Sequence, residues 1–214
     1  MNYVLKRPKS IPMAVLLLLI LPVSLKFNFV GTFLETFILG SVIMLILFGR
    51  NGYRQLFQKM KAPWWLPFYV GVMLFLVEGC LIKILTVALG DPELFHHGIG
   101  HDVKAIPNVW LRALDAFIFL FSAVNEELLM IPILLVLFIL LKRKKWGWYV
   151  ASFMSGVIFA LLHFTVYSMH PAVITLLVVN RMFLNENFKW CQSIRGPMIT
   201  HFLIDGTGLF FIFS

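Results

Sequence analysis

Nine ionisable side chains sit inside long apolar stretches of this 214-residue chain: Glu35, Glu78, Lys83, Asp115, Glu126, Glu127, His163, His201 and Asp205. At the centre of a membrane each would cost about 2.5–3.5 kcal/mol, so each is a functional candidate by default. Five of them fall in short motifs. Glu126 and Glu127 are adjacent, at the head of a run that stays apolar up to Lys142. Neighbouring helical positions diverge by about 100°, so one carboxylate can face a site while the other holds a neighbouring helix. Two close carboxylates in a poorly solvated setting suit general acid/base work on water. Phe159 and His163 are four apart, as are His201 and Asp205, so each pair shares a helix face. The His–Asp spacing fits an orienting hydrogen bond, a metal-ligand pair or a purely structural contact. Glu126 lies 16 residues before Lys142, and His163 lies 18 residues after Lys145. Antiparallel helices joined by that basic turn would place the two within about 3 Å of the same depth. Glu126, Glu127, His163, His201 and Asp205 together are an inventory for activating water inside a membrane. Two histidines plus carboxylates could also hold zinc with an open position, so metal-bound and metal-free chemistry both stay open.

The elements that must carry these residues are membrane helices. Hydrophobic residues make up 60% of the chain, charged residues 13%, and mean hydropathy is +0.90. A soluble domain has about 25% charged and 45–50% apolar residues, which excludes a cytosolic globular enzyme. An aromatic content of 15% excludes disorder. Apolar runs at about 11–25, 29–49, 64–90, 109–141, 146–169, 171–188 and 197–213 predict an all-α, polytopic helix bundle with about seven transmembrane helices. The runs are too long and too little alternating for barrel strands. The chain reads as one membrane domain, with N-terminal helices over 1–108 and the motif-bearing helices over 109–214. Its first apolar run is expected to be a retained span.

Charge sets the expected orientation. Lys6, Arg7 and Lys9; Arg50, Arg54, Lys59 and Lys61; Lys142, Arg143, Lys144 and Lys145; and Arg181, Lys189 and Arg195 fall at alternate turns, hence on one side. The other side has Lys26, Lys104 and Arg112. The positive-inside rule puts the N-terminus in the cytoplasm and the C-terminus outside. The net charge of +8 is thereby explained by a membrane, with lipids rather than nucleic acid as partner. Trp64, Trp65, Trp146 and Trp148 are expected at the inner interface. The segment Gly52–Lys61 is expected to lie on the anionic inner leaflet. Glu35, Glu78 and Lys83 read as an interhelical pair or as interfacial groups. Asp91–Asp102, with three histidines and three acids, reads as a solvated outer loop. Cys80 and Cys191 are not expected to pair.

Glu126-Glu127, Phe159-xxx-His163 and His201-xxx-Asp205, in that order, resemble the motifs EExxxR, FxxxH and HxxxN/D of the CAAX prenyl endopeptidase and bacteriocin-processing (CPBP, or Abi) family. The resemblance spans roughly residues 109–210. It implies hydrolysis of a peptide bond within the membrane, in a prenylated, leader-bearing or membrane-anchored substrate. By that analogy Glu126 is the general base, assisted by His163, and His201 with residue 205 stabilises the oxyanion. The family is described both as metalloprotease and as metal-independent glutamate protease. Two departures stand out. Ile131 and Pro132 occupy the positions of the motif arginine and the glycine that often follows it, which makes Arg112 or Arg181 the candidate replacement. Asp205 stands where many members have Asn, and an ionised Asp suits an oxyanion less well.

The absent arginine favours a second reading, a non-catalytic membrane immunity or scaffold protein of the same fold. A small transporter would also use intramembrane carboxylates, but the matching interrupted helices of transporter halves are not evident. One geometric difficulty concerns the sixth span. Its apolar part before Arg181 is short, so the turn after it is expected to dip inward and lift His201 to the level of Glu126.

Overall fold

The computed structural model describes residues 5, 10–17, 19, 32–90, 108–163 and 170–213. The described residues form helices and no strand: α1 (Thr32–Leu56), α2 (Leu66–Leu89), α3 (Val109–Leu140), α4 (Lys145–Leu162), α5 (Pro171–Cys191) and α6 (Arg195–Phe213), preceded by a helical stretch at 11–17. The chain is an all-helical, multi-pass membrane protein. By length and composition Thr36–Leu56, Leu66–Leu89 and Lys145–Leu162 are each able to cross a membrane. The 91–102 acid and histidine segment, Lys6, Arg7, Lys9, Lys26 and Lys104 lie outside the described residues, as do the side chains of Glu35 and Asp115.

Local sequence explains where the helices begin and end. Asn108 caps α3, its side-chain oxygen accepting from the backbone N–H of Trp110 at 2.9 Å. Pro67 and Pro171 occupy first turns, where a missing N–H costs nothing. The His170 ring caps α5 by accepting from the Ala172 N–H at 3.2 Å. Gly90 closes α2 in the left-handed conformation. At Gly49 (φ 68°, ψ −178°) α1 kinks, and the chain resumes as a helix to Leu56.

α1 packs chiefly on α3, α4 on α5, and α6 on α3 and α2. The main core lies between α1, α3 and α4, around Met44, Phe48, Leu128, Ile131, Leu134 and Trp148. Three expectations are corrected here. Trp148 does not face lipid: it is buried, stacks edge-on against Phe138 and donates its indole N–H to Glu186. Trp64, Trp65 and Trp146 are exposed as expected. The 52–61 segment turns its apolar side into the protein instead of onto lipid. Leu56 is fully buried, Tyr53 and Phe57 pack on the core, and the Leu56 carbonyl accepts from the Ile194 N–H at 2.9 Å. Arg50, Arg54, Lys59 and Lys61 stay exposed.

The third correction concerns the sixth span. The helix does not end near Arg181; it runs unbroken from Pro171 to Cys191, 21 residues or about 31 Å. Its second half is polar because it is buried in the bundle, with Arg181, Asn185 and Asn187 all fully buried. The length argument for an inward-dipping turn therefore falls away.

The closest approach of α1 to α3 depends on Gly40. A Cβ there would stand 2.7 Å from the backbone carbon of Leu128, with no flexible side chain able to yield. A Cβ at Gly79 on α2 would meet nothing within 4 Å. Gly40→Ala is expected to destabilise the protein by about 1–3 kcal/mol, the usual cost of overpacking. Gly79→Ala should be neutral or slightly stabilising, since alanine is the better helix former. Thermal unfolding of both variants in detergent checks this, and equal melting temperatures would contradict the packing described.

Candidate active site

Three helices, α3, α4 and α6, bring the five motif residues to one place, and α5 adds Arg181. Glu126 and Glu127 stand on α3, 14 residues before its C-terminus at Leu140. They face different ways, as the 100° step requires. Glu127 is completely buried, while the Glu126 side chain is 22% exposed. Arg181 of α5 grips Glu127 through both guanidinium nitrogens, Nη1 to Oε1 at 2.7 Å and Nη2 to Oε2 at 2.9 Å. A forked pair of this kind is among the stronger hydrogen-bonded contacts a protein makes. A third guanidinium N–H, on Nε, donates to Asn185 one turn on, at 3.0 Å. Asn185 in turn donates to Ser155 at 2.8 Å and Ser152 at 3.0 Å on α4. Every member of this chain of contacts is buried, and each has a partner, as a dry interior demands.

His201, on the second turn of α6, places Nδ1 2.9 Å from Glu127 Oε1. The carboxylate accepts, so Nδ1 carries the hydrogen and Nε2 turns outward. Nε2 lies 4.0 Å from Glu126 Oε2 and 3.9 Å from Asp205 Oδ2. His163 ends α4 as its C-cap residue. Its Nδ1 donates to the Phe159 carbonyl at 2.8 Å, which directs Nε2 toward Glu126 Oε2, 3.7 Å away. Both imidazoles are therefore fixed by their Nδ1 hydrogens and both present Nε2 to one carboxylate oxygen. Phe159 underlies the group, its ring centroid 4.3 Å from that of His163 and 6.4 Å from that of His201.

Arg181 was placed by its charge at the inner turn; the structure puts it in the middle of α5, bound to Glu127. Its other reading, as the replacement for the motif arginine, is the one that this contact fits. The signal available was its spacing from Asn185, four residues on. Arg112 stays in the first turn of α3, about 22 Å along the helix from Glu127. Ile131, at the motif arginine position, is fully buried in the apolar core against α1. Glu78 is an interhelical partner, accepting from Asn180 Nδ2 at 2.7 Å, whereas Lys83 is exposed. Cys80 and Cys191 are both free thiols. For zinc, no three His, Cys, Asp or Glu side chains among the described residues are grouped to hold a metal ion. The donor set does not fit, and no step below involves a metal.

Residues 108–207 match the family model described as Type II CAAX prenyl endopeptidase Rce1-like. The chain resembles that family. The match takes in every motif residue, from Glu126 to Asp205, and the buried Arg181 that holds Glu127. The family is generally one of intramembrane proteases. No curated protein and no solved structure matches the chain.

Removing one partner of a buried ion pair strands the other charge, at about 3–5 kcal/mol. Arg181→Met should therefore unfold or severely destabilise the protein. The double change Arg181→Met, Glu127→Met should recover part of that loss, because it leaves neither charge of the pair stranded, although His201 Nδ1 and Asn185 Oδ1 each lose a partner. Thermal unfolding of both in detergent is the check, and a double variant as unstable as Arg181→Met would contradict it.

Proposed function

We propose that the chain is an intramembrane endopeptidase in which Glu126 activates water. The observation that carries this reading is the convergence of two imidazole Nε2 atoms, both oriented through Nδ1, on one partly exposed carboxylate, at 3.7 and 4.0 Å. Those separations exceed a direct hydrogen bond and are the span that a bridging water fills. Glu126 takes a proton from that water as its oxygen attacks the scissile carbonyl carbon. His163 holds the water and steadies the carboxylic acid that forms. His201 acts as the imidazolium: Glu127 holds its Nδ1–H, and its Nε2–H donates toward the oxyanion. The proton on Glu126 then passes to the departing amide nitrogen as the C–N bond breaks. Asp205 lies 3.9 Å from His201 Nε2 and serves as an uncharged donor or by orienting that ring.

The substrate class that fits is a prenylated, leader-bearing or membrane-anchored peptide, presented to a site within the bilayer. Seven spans, with the 50–61 and 142–145 turns cytoplasmic and the C-terminus outside, complete the picture, as does one membrane domain with a helical scaffold over 1–108 and the motif helices over 109–214. The non-catalytic alternative drew its support from the missing motif arginine. Because Arg181 supplies a buried, forked partner to Glu127, that support is weakened.

Glu126→Gln keeps the shape and removes the base, so peptide cleavage should fall by at least about 10²-fold. His163→Ala should lose a comparable factor. Asp205→Asn should retain most activity, since the amide can still donate to an oxyanion. Cleavage of candidate peptides by matched amounts of folded protein measures all three, and full activity in Glu126→Gln would sink the mechanism. For the orientation, Lys142→Cys in a background without native cysteines should be labelled from the cytoplasmic side; labelling from the outer side alone would reverse the topology.

A further inference from the structure

We propose that Glu78, on a helix outside the family-matched stretch, is a positioning residue of the site: its hydrogen bond to Asn180 sets the rotation of α5 and so aims Arg181 at Glu127. α2 otherwise shows little reason to hold a carboxylate. It is apolar along its length and exposes Tyr69, Val72, Phe75 and Leu76. Yet Glu78 reaches inward to α5, where its Oε1 accepts from Asn180 Nδ2 at 2.7 Å. Asn180 immediately precedes Arg181, and the two side chains leave α5 about 100° apart. One is held by α2 and the other by α3. The Asn180 side-chain carbonyl is buried with no partner among the described residues. That amide is thus oriented by the acceptor-only carboxylate opposite it and by no competing contact the described residues supply.

The register of α2 on α6 brings the same carboxylate to the site's flank. The Pro67 carbonyl accepts from Thr200 at 2.7 Å, and Gly71 faces Leu203, so the two helices run side by side in the same direction. Glu78 leans back over the preceding turn, as helical side chains do, and arrives within electrostatic reach of Asp205 and His201. The geometry therefore forms a relay of contacts: Glu78 to Asn180, the adjoining Arg181 to Glu127, and Glu127 to His201. Loss of the first contact frees α5 to rotate and loosens the last.

Two substitutions separate the hydrogen bond from mere packing. Glu78→Leu removes the acceptor but suits an apolar, lipid-facing helix, so the bundle should fold. Glu78→Gln keeps an acceptor oxygen for Asn180 and removes the charge. Asn180→Ala breaks the same contact from the other helix, should Glu78→Leu fail to fold. The first readout is the His201 ring signals of the full-length, histidine-labelled protein in micelles, assigned through His201→Gln at one fixed pH. They should move in Glu78→Leu and Asn180→Ala and move clearly less in Glu78→Gln, which loses only the charge. Unmoved signals in folded Glu78→Leu would overturn the proposal. Signals displaced as far in Glu78→Gln would also overturn it, by making charge and not the hydrogen bond the agent. The second readout rests on the hydrolytic reading: kcat should fall about tenfold in Glu78→Leu with KM unchanged, and Glu78→Gln should recover it to within twofold. A wild type that cleaves no candidate peptide would count against the proposed function, while the His201 signals would still decide the role of Glu78.

Discussion

The Arg181–Glu127 pair is the contact on which the rest of this bundle depends. Two charges taken wholly out of water are costly unless the geometry is good and every remaining donor is used. Here the guanidinium spends Nη1 and Nη2 on Glu127 and Nε on Asn185, and the carboxylate takes His201 as well. Satisfying the pair thus requires α3, α5 and α6 to meet at one depth, with α4 joined through Ser152 and Ser155. In hydrocarbon the hydrophobic effect does not favour one helix neighbour over another, so polar contacts and close packing must choose the arrangement. α5 carries most of them. Asn187, two residues beyond Asn185, donates to Thr200 on α6, and Thr200 donates to the Pro67 carbonyl on α2. One polar helix therefore specifies the positions of the apolar ones around it.

The same pair separates the two adjacent glutamates into different kinds of group. Glu127 accepts three hydrogen bonds and has no exposure. Glu126, one residue earlier, makes only long contacts at 3.7 and 4.0 Å and keeps a fifth of its surface open. A carboxylate whose oxygens are held by buried donors has little room to bind water, whereas one with loose partners can hold a water between itself and its neighbours. The asymmetry arises from the helical step and from what each neighbouring helix presents.

Much of this was legible in the sequence, and what was not has physical reasons. The helical class followed from the length of the apolar runs, and the meeting of Glu126 with His163 followed from counting residues either side of a basic turn. Charge alone misled at Arg181: an arginine near the end of an apolar stretch reads as a cytoplasmic flank unless its partner is known, and that partner lies 54 positions away in the chain. Trp148 misled for a similar reason. Tryptophan prefers interfaces, but an indole N–H that finds a carboxylate can be buried instead. The basic segment after α1 was read from its exposed charges, while Leu56 and Phe57 were already committed to the core. In each case a long-range partner overrode a sound local preference.

The aromatic position of the second motif shows how far a short pattern can encode three-dimensional constraints. Phe159 is buried, at 4% exposure, and three polar groups rest on it. The Arg181 guanidinium carbon lies 5.9 Å from its ring centroid, within cation–π range. The His163 ring lies 4.3 Å away, and its Nδ1 is tied to the Phe159 carbonyl one helical turn earlier. His201 approaches edge-on at 6.4 Å. A leucine would fill similar volume but offer the guanidinium no electron-rich face, and its flexible branches would not define the separation of the two imidazoles. The ring thus acts as a rigid floor on which the buried charge and both histidines are spaced. The carbonyl of the same residue fixes which nitrogen of His163 turns toward Glu126. The four-residue interval follows from that last contact, since it is the helix repeat that returns the imidazole over the carbonyl it must reach.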